Sequence, residues 1–244
     1  MKAVILSNLR IAKDIFVLNV KMEKPIRAEP GQFAMIKVSN TLDPYLRRPF
    51  SVAQMKGDSL TFFYRIVGKG TGILSKLKEG EYVDILCPLG NSFEYKGIRR
   101  ATLVAGGMGV APLLFLAQRL TEDNVPFEFF WGAETESEFF TDRYDFLYST
   151  MDGSKGFKGN VVELFSLNET SKHVFGCGPL AMLYELFLKQ KQRDFRLYVS
   201  VENMMGCGFG VCLGCVIDTR EGKKRVCKDG PVFKAEDITW NKVV

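Results

Sequence analysis

The feature that most constrains this chain is a crowd of cysteines: Cys207-Gly-Phe-Gly-Val-Cys212-Leu-Gly-Cys215, then eleven residues, then Cys227. Four thiols gathered into so short a stretch of a 244-residue chain are either disulfide partners or metal ligands. The opening segment MKAVILSNLRIAKDIFVLNV is broken by Asn8, Arg10, Lys13 and Asp14, so it lacks the apolar run of an export signal. No stretch reaches the ~18 apolar residues of a membrane span. A cytoplasmic protein in a reducing compartment is expected, without a membrane, and metal becomes the expected use of the thiols. A four-then-two spacing suits a [2Fe-2S] cluster held by Cys207, Cys212, Cys215 and Cys227. Gly206, Gly208, Gly210 and Gly214 leave backbone free to approach bridging sulfides and aim N–H groups at sulfur.

The first three cysteines follow plant-type ferredoxin spacing, but the fourth comes much sooner. Between Cys215 and Cys227, VIDT, Arg220-Glu221-Gly222 and KKRV read as a hairpin with a three-residue loop whose Gly222 takes the left-handed conformation. Reflection about Glu221 pairs 219 with 223 and sets Cys215 opposite Cys227. Directly opposed residues have Cβ atoms about 4.5–5.5 Å apart, a start for two ligands of one cluster. Four thiolates also suit tetrahedral zinc, although zinc loops usually carry two C-x2-C pairs and this chain has one. Cys87 has no cysteine nearby and reads as a small buried residue.

The rest of the chain is long enough for two cores, with 46% hydrophobic and 25% charged residues. Its formal charge of +5 is spread without a basic run, which suits phosphate-bearing small molecules and gives no sign of nucleic acid. Over residues 1–97, AVILSN, DIFVLNV, PGQFAMIKV, FSVAQM, SLTFFYRIV and EYVDILCPLG alternate with turn residues, predicting a small antiparallel barrel with a helical turn or two near GTGILSKL. Over 98–196, ATLVAGG, VAPLLFLAQRL, VPFEFFWGAE, KHVFGCG and PLAMLYELFLKQKQ alternate strand with helix, predicting a parallel, Rossmann-like sheet. Residues 197–244, opening with LYVSVE, are predicted to form the cysteine subdomain.

Two barrel motifs point to a flavin. Arg48-Pro49-Phe50-Ser51 resembles the R-x-Y/F-S/T motif of the ferredoxin reductase superfamily. The resemblance implies that the arginine binds pyrophosphate, the aromatic ring packs by the flavin, and the serine lies near N5. These roles suit a forked guanidinium and a donating hydroxyl. In Tyr64-Arg65-Ile66-Val67-Gly68-Lys69-Gly70-Thr71-Gly72 a strand runs into a glycine-rich loop that opens a helix, where N–H groups can cradle a phosphate. The resemblance places the adenylate half of FAD along this strand and its pyrophosphate by the Gly70-Thr71 pair.

Two further turns point to a nucleotide. Gly106-Gly107-Met108-Gly109-Val110-Ala111-Pro112 follows a strand and opens a helix, with Pro112 where the last glycine of G-x-G-x-x-G would stand. The departure matches the G-G-x-G-x-x-P loop of the same superfamily. Gly176-Cys177-Gly178-Pro179 repeats the strand-turn-helix logic, and the resemblance puts this turn beside the nicotinamide, with Cys177 near the hydride-transfer position. Glu134, Glu136 and Glu138 follow the next strand and would repel a 2′-phosphate while accepting from a ribose hydroxyl, so NAD is favoured over NADP.

The order of barrel, nucleotide unit and cysteine segment, together with Arg225-Val-Cys227-Lys-Asp-Gly-Pro-Val-Phe233, resembles the electron-transfer subunits of class 1B dihydroorotate dehydrogenases across essentially the whole chain. The resemblance implies an α/β plus all-β protein binding FAD, NAD and a [2Fe-2S] cluster, and an FMN-containing catalytic dihydroorotate dehydrogenase subunit as partner in a heterotetramer. It implies no nucleophile or general base of the chain's own. A reductase subunit of a hydrogenase or of a nicotinamide-ferredoxin transhydrogenase would carry the same cofactors, and a zinc-stapled nucleotide-binding regulator would carry out no turnover.

Overall fold

The structure is a computed structural model and describes residues 1–169 and 171–242. The first unit comprises β1 (Lys2–Ala12), β2 (Ile15–Met22), β3 (Phe33–Lys37), β4 (Arg48–Ser51), β5 (Gln54–Lys56), β6 (Ser59–Arg65) and β7 (Tyr82–Leu89), with α1 (Lys69–Leu74) before the last strand. The strands lie in the order β4-β3-β7-β1-β2-β6-β5, and each neighbouring pair is antiparallel. The two edges, β4 and β5, are linked only by Val52 and Ala53. A connection so short spans about 10 Å at most, so the sheet rolls its edges together into the expected barrel. Alternation decides which face turns inward: along β6, Leu60, Phe62 and Tyr64 are buried while their neighbours are not. Ile5, Leu18, Val20, Ile36 and Ile85 complete the barrel core, and Leu74 of α1 packs into it.

The second unit begins with β8 (Ala101–Gly106), α2 (Val110–Glu122), β9 (Phe127–Ala133), β10 (Phe146–Thr150) and β11 (Phe157–Lys158). It continues through α3 (Val161–Ser166), β12 (His173–Cys177), α4 (Leu180–Gln190) and β13 (Arg196–Ser200). β8 to β13 pair in parallel in the order β11-β10-β9-β8-β12-β13. Every residue of β8 is buried, as its unbroken apolar run requires of a central strand covered on both faces. The chain leaves β8 to one side and later returns on the other through β12, which creates a switch point between the two strands.

The cysteine segment contains β14 (Val216–Thr219), β15 (Gly222–Arg225) and α5 (Val226–Asp229), and is followed by β16 (Val232–Lys234). β16 pairs antiparallel with β13. The unit expected over 197–244 thus shares both ends with the parallel sheet, and the cysteines lie on an excursion between two of its neighbouring strands. The hairpin register differs from expectation: Thr219 pairs with Gly222 and Val216 with Arg225, so Arg220 and Glu221 alone form the loop. Contacts beyond the hairpin fix this tighter turn, because Arg220 N–H donates to the Asp237 carbonyl and Thr239 N–H to that of Asp218. Cys215 consequently faces Val226, whose N–H donates to its carbonyl at 2.9 Å, and Cys227 sits on α5 instead of a strand. The two cysteines still meet, with Cys227 N–H donating to the Cys215 sulfur at 3.4 Å.

The excursion rests on the barrel. Phe33 and Met35 of β3 form one apolar cluster with Cys215, Ile217, Val226 and Cys227. Gly208 has φ +83°, and a Cβ there would stand 2.4 Å from Met35 Cγ. Asn91, just beyond β7, fastens the far end: its amide donates to the Val232 carbonyl at 2.8 Å and the Asp229 carbonyl at 3.2 Å, while its oxygen accepts from Val232 N–H at 2.9 Å. Asn91→Ala strands these backbone groups and should cost on the order of 3 kcal/mol. A lowered urea midpoint of the holoprotein together with faster iron release on chelator challenge is the expected outcome.

Candidate functional site

A cleft of about 880 Å3 runs between the barrel and the carboxyl ends of β8, β9, β12 and β13, where open parallel sheets bind ligands. Its barrel wall includes Arg48, Pro49, Phe50 and Ser51 of β4, Tyr64 and Arg65 of β6, and Val67 and Thr71 beyond it. Tyr64 is a fixed platform: its hydroxyl donates to Asn8 at 2.9 Å, its ring stacks on Phe16 with centroids 5.4 Å apart, and burial pushes its phenol up to about 12. Thr71 Oγ1 accepts from Val67 N–H at 3.0 Å and Gly68 N–H at 3.3 Å, closing the turn. A Cβ on Gly70 would lie 2.6 Å from Arg48 Nε, so a side chain there would push the guanidinium from where it crosses the start of α1. Gly70, Ile66 and Gly72 stand behind the wall and do not line the cleft.

The opposite wall brings together Gly106, Gly107, Gly109, Gly178, Pro179 and Glu134. Its two loops touch at the switch point, where a Cβ on Gly109 would fall 2.2 Å from the Cys177 carbonyl. Trp131, fully buried, donates its indole N–H to the Gly107 carbonyl at 3.0 Å and fixes that peptide from beneath. Cys177 packs within its turn. It is 1% exposed, it does not line the cleft, and burial pushes its thiol pKa up. Gly178 and Pro179 present the turn to the cleft while Cys177 packs below. Of the three acidic candidates, Glu138 is paired with Arg65 and Glu136 is exposed outside the cleft, leaving Glu134 as the exposed one that lines it.

Sequence reasoning missed Ser200, the last residue of β13, and Glu202, Asn203 and Met205 beyond it, all of which line the cleft. The signal was available, since LYVSVE reads as a strand and its carboxyl end faces the crevice by the same rule as the glycine loops.

The cysteines sort into pairs. Cys215 and Cys227 are buried, Cys207 is half-buried and Cys212 exposed. Burial and the adjacent Cys215 thiol push Cys227 up to about 12. At Cys207 burial opposes ionisation, but the N–H groups of Cys212, Phe209 and Val211 outweigh it and lower the thiol to about 6. Arg225 ties the pairs together, donating to the Gly210 carbonyl at 3.2 Å and to Asp229 of α5 at 3.0 and 3.1 Å. Among the described residues no three cysteine, histidine or acidic groups converge as they would on one ion. Two sulfur pairs fit a two-iron cluster, each iron taking one pair, better than tetrahedral zinc. The Cys227 thiol, with its raised pKa, also requires such a cation to be held as a thiolate.

Comparison with known proteins agrees with this geometry. The family described as the iron-sulfur cluster binding domain of dihydroorotate dehydrogenase B matches residues 202–239. The dihydroorotate dehydrogenase B (NAD(+)) electron transfer subunit of Clostridium acetobutylicum is 38% identical over 96% of this chain and 95% of its own. An electron transfer subunit homolog from Aquifex aeolicus is 38% identical over 98% of each. Among solved structures, a chain of an NADH-dependent reduced ferredoxin-NADP oxidoreductase superposes with a TM-score of 0.89 at 29% identity, covering 98% of this chain and 90% of that one. Phthalate dioxygenase reductase shares the fold, with a TM-score of 0.67 at 18% identity over 93% of this chain and 77% of its own. By its identity to these relatives over nearly its full length, the chain belongs to the family of dihydroorotate dehydrogenase B electron transfer subunits.

Proposed function

We propose that the chain relays electrons between a nicotinamide nucleotide, FAD and a [2Fe-2S] cluster on behalf of an FMN-containing catalytic subunit that oxidises dihydroorotate, within a cytoplasmic heterotetramer. Membership of an electron transfer subunit family implies a catalytic partner. Among the described residues no helix is long and apolar enough to cross a membrane. The observation that carries the reading is a shared wall: Phe33 and Met205 border the cleft and also pack in the apolar cluster around Cys215 and Cys227. One layer of side chains therefore separates the flavin wall from the cysteine cradle.

FAD, when bound, supplies the exchange between two-electron nicotinamide chemistry and one-electron cluster chemistry. The chain's own residues bind and orient. Arg48 offers a forked guanidinium to the pyrophosphate, Phe50 packs beside the flavin, and Ser51 donates toward N5. Tyr64 gives the cofactor a rigid apolar surface, and Arg65, Ile66, Val67, Gly70, Thr71 and Gly72 form the strand and turn that carry its adenylate half. Gly106, Gly107, Gly109, Gly178 and Pro179 border the nicotinamide nucleotide, with Cys177 supporting the last turn. Glu134 accepts from the ribose and repels a 2′-phosphate. Cys207, Cys212, Cys215 and Cys227 hold the cluster. Around it Met204, Phe209, Val211 and Leu213 are 86, 52, 72 and 62% exposed, an apolar rim suited to a docked subunit.

A second reading, a reductase subunit of a nicotinamide-ferredoxin transhydrogenase, draws on the solved chain that superposes with a TM-score of 0.89. Reconstitution with a class 1B catalytic subunit separates the two, because only the first supports dihydroorotate-dependent NAD reduction. In that complex Phe209→Lys should lower dihydroorotate-dependent NAD reduction about tenfold or more, with NADH oxidation by an artificial dye nearly unchanged. Equal loss of both activities would place the damage in the fold. Cys215→Ser should remove most of the iron, read by metal analysis and by loss of visible absorption beyond the flavin bands. The unmodified holoprotein should prefer NADH to NADPH, and Glu134→Arg should narrow the gap about tenfold by removing a repulsive charge.

A further inference from the structure

Arg65 ends the barrel strand β6, and Glu138 lies in the loop after β9, so their ion pair crosses from one unit to the other at the cleft. Both side chains are only partly exposed, at 35% and 20%, and both line the cleft. The second Glu138 oxygen accepts the backbone N–H of Glu134 at 3.2 Å. Beside this polar link Phe63 packs on Phe140 with ring centroids 4.8 Å apart, so an apolar contact holds the same strand to the same loop. Arg65 Nε is buried and has no partner among the described residues. A buried donor left unmatched in a cleft wall is costly unless a ligand atom accepts from it.

We propose that Glu138 is the positioning residue of nucleotide selection. One of its oxygens sets the Glu134 backbone so that the Glu134 carboxylate faces the cleft, and the other couples that setting to the flavin wall through Arg65, whose Nε donates to an oxygen of a dinucleotide bound in the cleft. The inference rests on the assignment of Glu134 to the ribose made above. Glu138 never touches the reacting atoms. It acts through Glu134, and it also neutralises Arg65, a cation in the cleft wall that would welcome a 2′-phosphate. Loss of its charge therefore has two effects of the same sign: the Glu134 N–H is left with only a weaker, neutral acceptor, and Arg65 is freed to attract the wrong nucleotide.

The test uses the holoprotein with Glu138→Gln, and Glu138→Asp as the variant that keeps the charge. Binding of NAD+ and NADP+ to the oxidised protein is measured by calorimetry, and KM and kcat for NADH and NADPH by dye reduction. FAD content and cluster absorbance are recorded alongside. Glu138→Gln should weaken NAD+ binding and raise the NADH KM about tenfold, the scale of one charge-assisted hydrogen bond. The kcat should stay within about twofold, since positioning at the ribose is uniform binding, and the NADH preference should shrink. Glu138→Asp should restore part of the preference. If the unmodified protein prefers NADPH, the Glu134 assignment fails and the inference falls with it. If the unmodified protein prefers NADH but Glu138→Gln keeps its KM and its discrimination, the inference alone is overturned. Loss of FAD, or an equal fall in kcat for both nucleotides with KM unchanged, would overturn it as well, by making the pair a structural brace.

Discussion

Cys215 and Cys227 rest on Phe33 and Met35 of the barrel, and the placement of the cluster relative to the cleft depends on that contact. Thiols buried among apolar side chains resist ionisation, as the Cys227 pKa near 12 registers. Iron held by these thiols would supply the positive charge that reverses this, so that cluster binding and packing of the excursion would reinforce one another. The contact demands close backbone approach, and Gly208 meets the demand at the one point where any larger residue would strike Met35. Asn91 holds the other end of the excursion by serving backbone groups that neither sheet satisfies. The cysteine segment is thereby wedged between barrel and sheet instead of trailing from them.

The cleft follows from how the two units differ. An antiparallel barrel can offer side chains such as Arg48, Ser51 and Tyr64 from its wall, fixed by pairing on both sides. A parallel sheet offers loops, because successive strands all end on one face and the crossover helices begin there. At the switch point between β8 and β12 the loops diverge and leave room for a dinucleotide, and Gly109 lets them touch below it. Trp131 reaches up from β9 to hold the Gly107 peptide, an example of core packing that sets the geometry of a polar loop.

Much of this was legible in the sequence, for reasons that differ by element. The barrel strands were visible because one face is wet, so Leu60, Phe62 and Tyr64 alternate with exposed neighbours; the central strand β8 was visible for the opposite reason, as an unbroken apolar run. The motifs gave the barrel and glycine-loop residues because turns with special backbone needs restrict residue type. The hairpin register was not legible. A two-residue and a three-residue loop both accommodate Gly222 at positive φ, and the choice was made by Asp237 and Thr239, far along the chain. Cys177 could not be placed either, because a strand's end fixes the backbone but not which side of the sheet the last side chain takes. The pairing of Glu138 with Arg65 is a contact across 73 residues of sequence, and nothing local to either residue announces it.

The two cysteine pairs also differ in where they face. Cys215 and Cys227 form the inner pair, in the apolar cluster that Met205 and Phe33 join to the cleft. Cys207 and Cys212 form the outer pair, half-buried and exposed, on the loop that carries Phe209 and Val211 into solvent. A cluster spanning both pairs would have one iron toward the flavin wall and the other toward a docked subunit. N–H donors converge on the outer sulfur Cys207 and lower its pKa, while burial and a neighbouring thiol raise that of Cys227. A group held by all four thiols would therefore lie between the cleft wall and the exposed side chains of Phe209 and Val211.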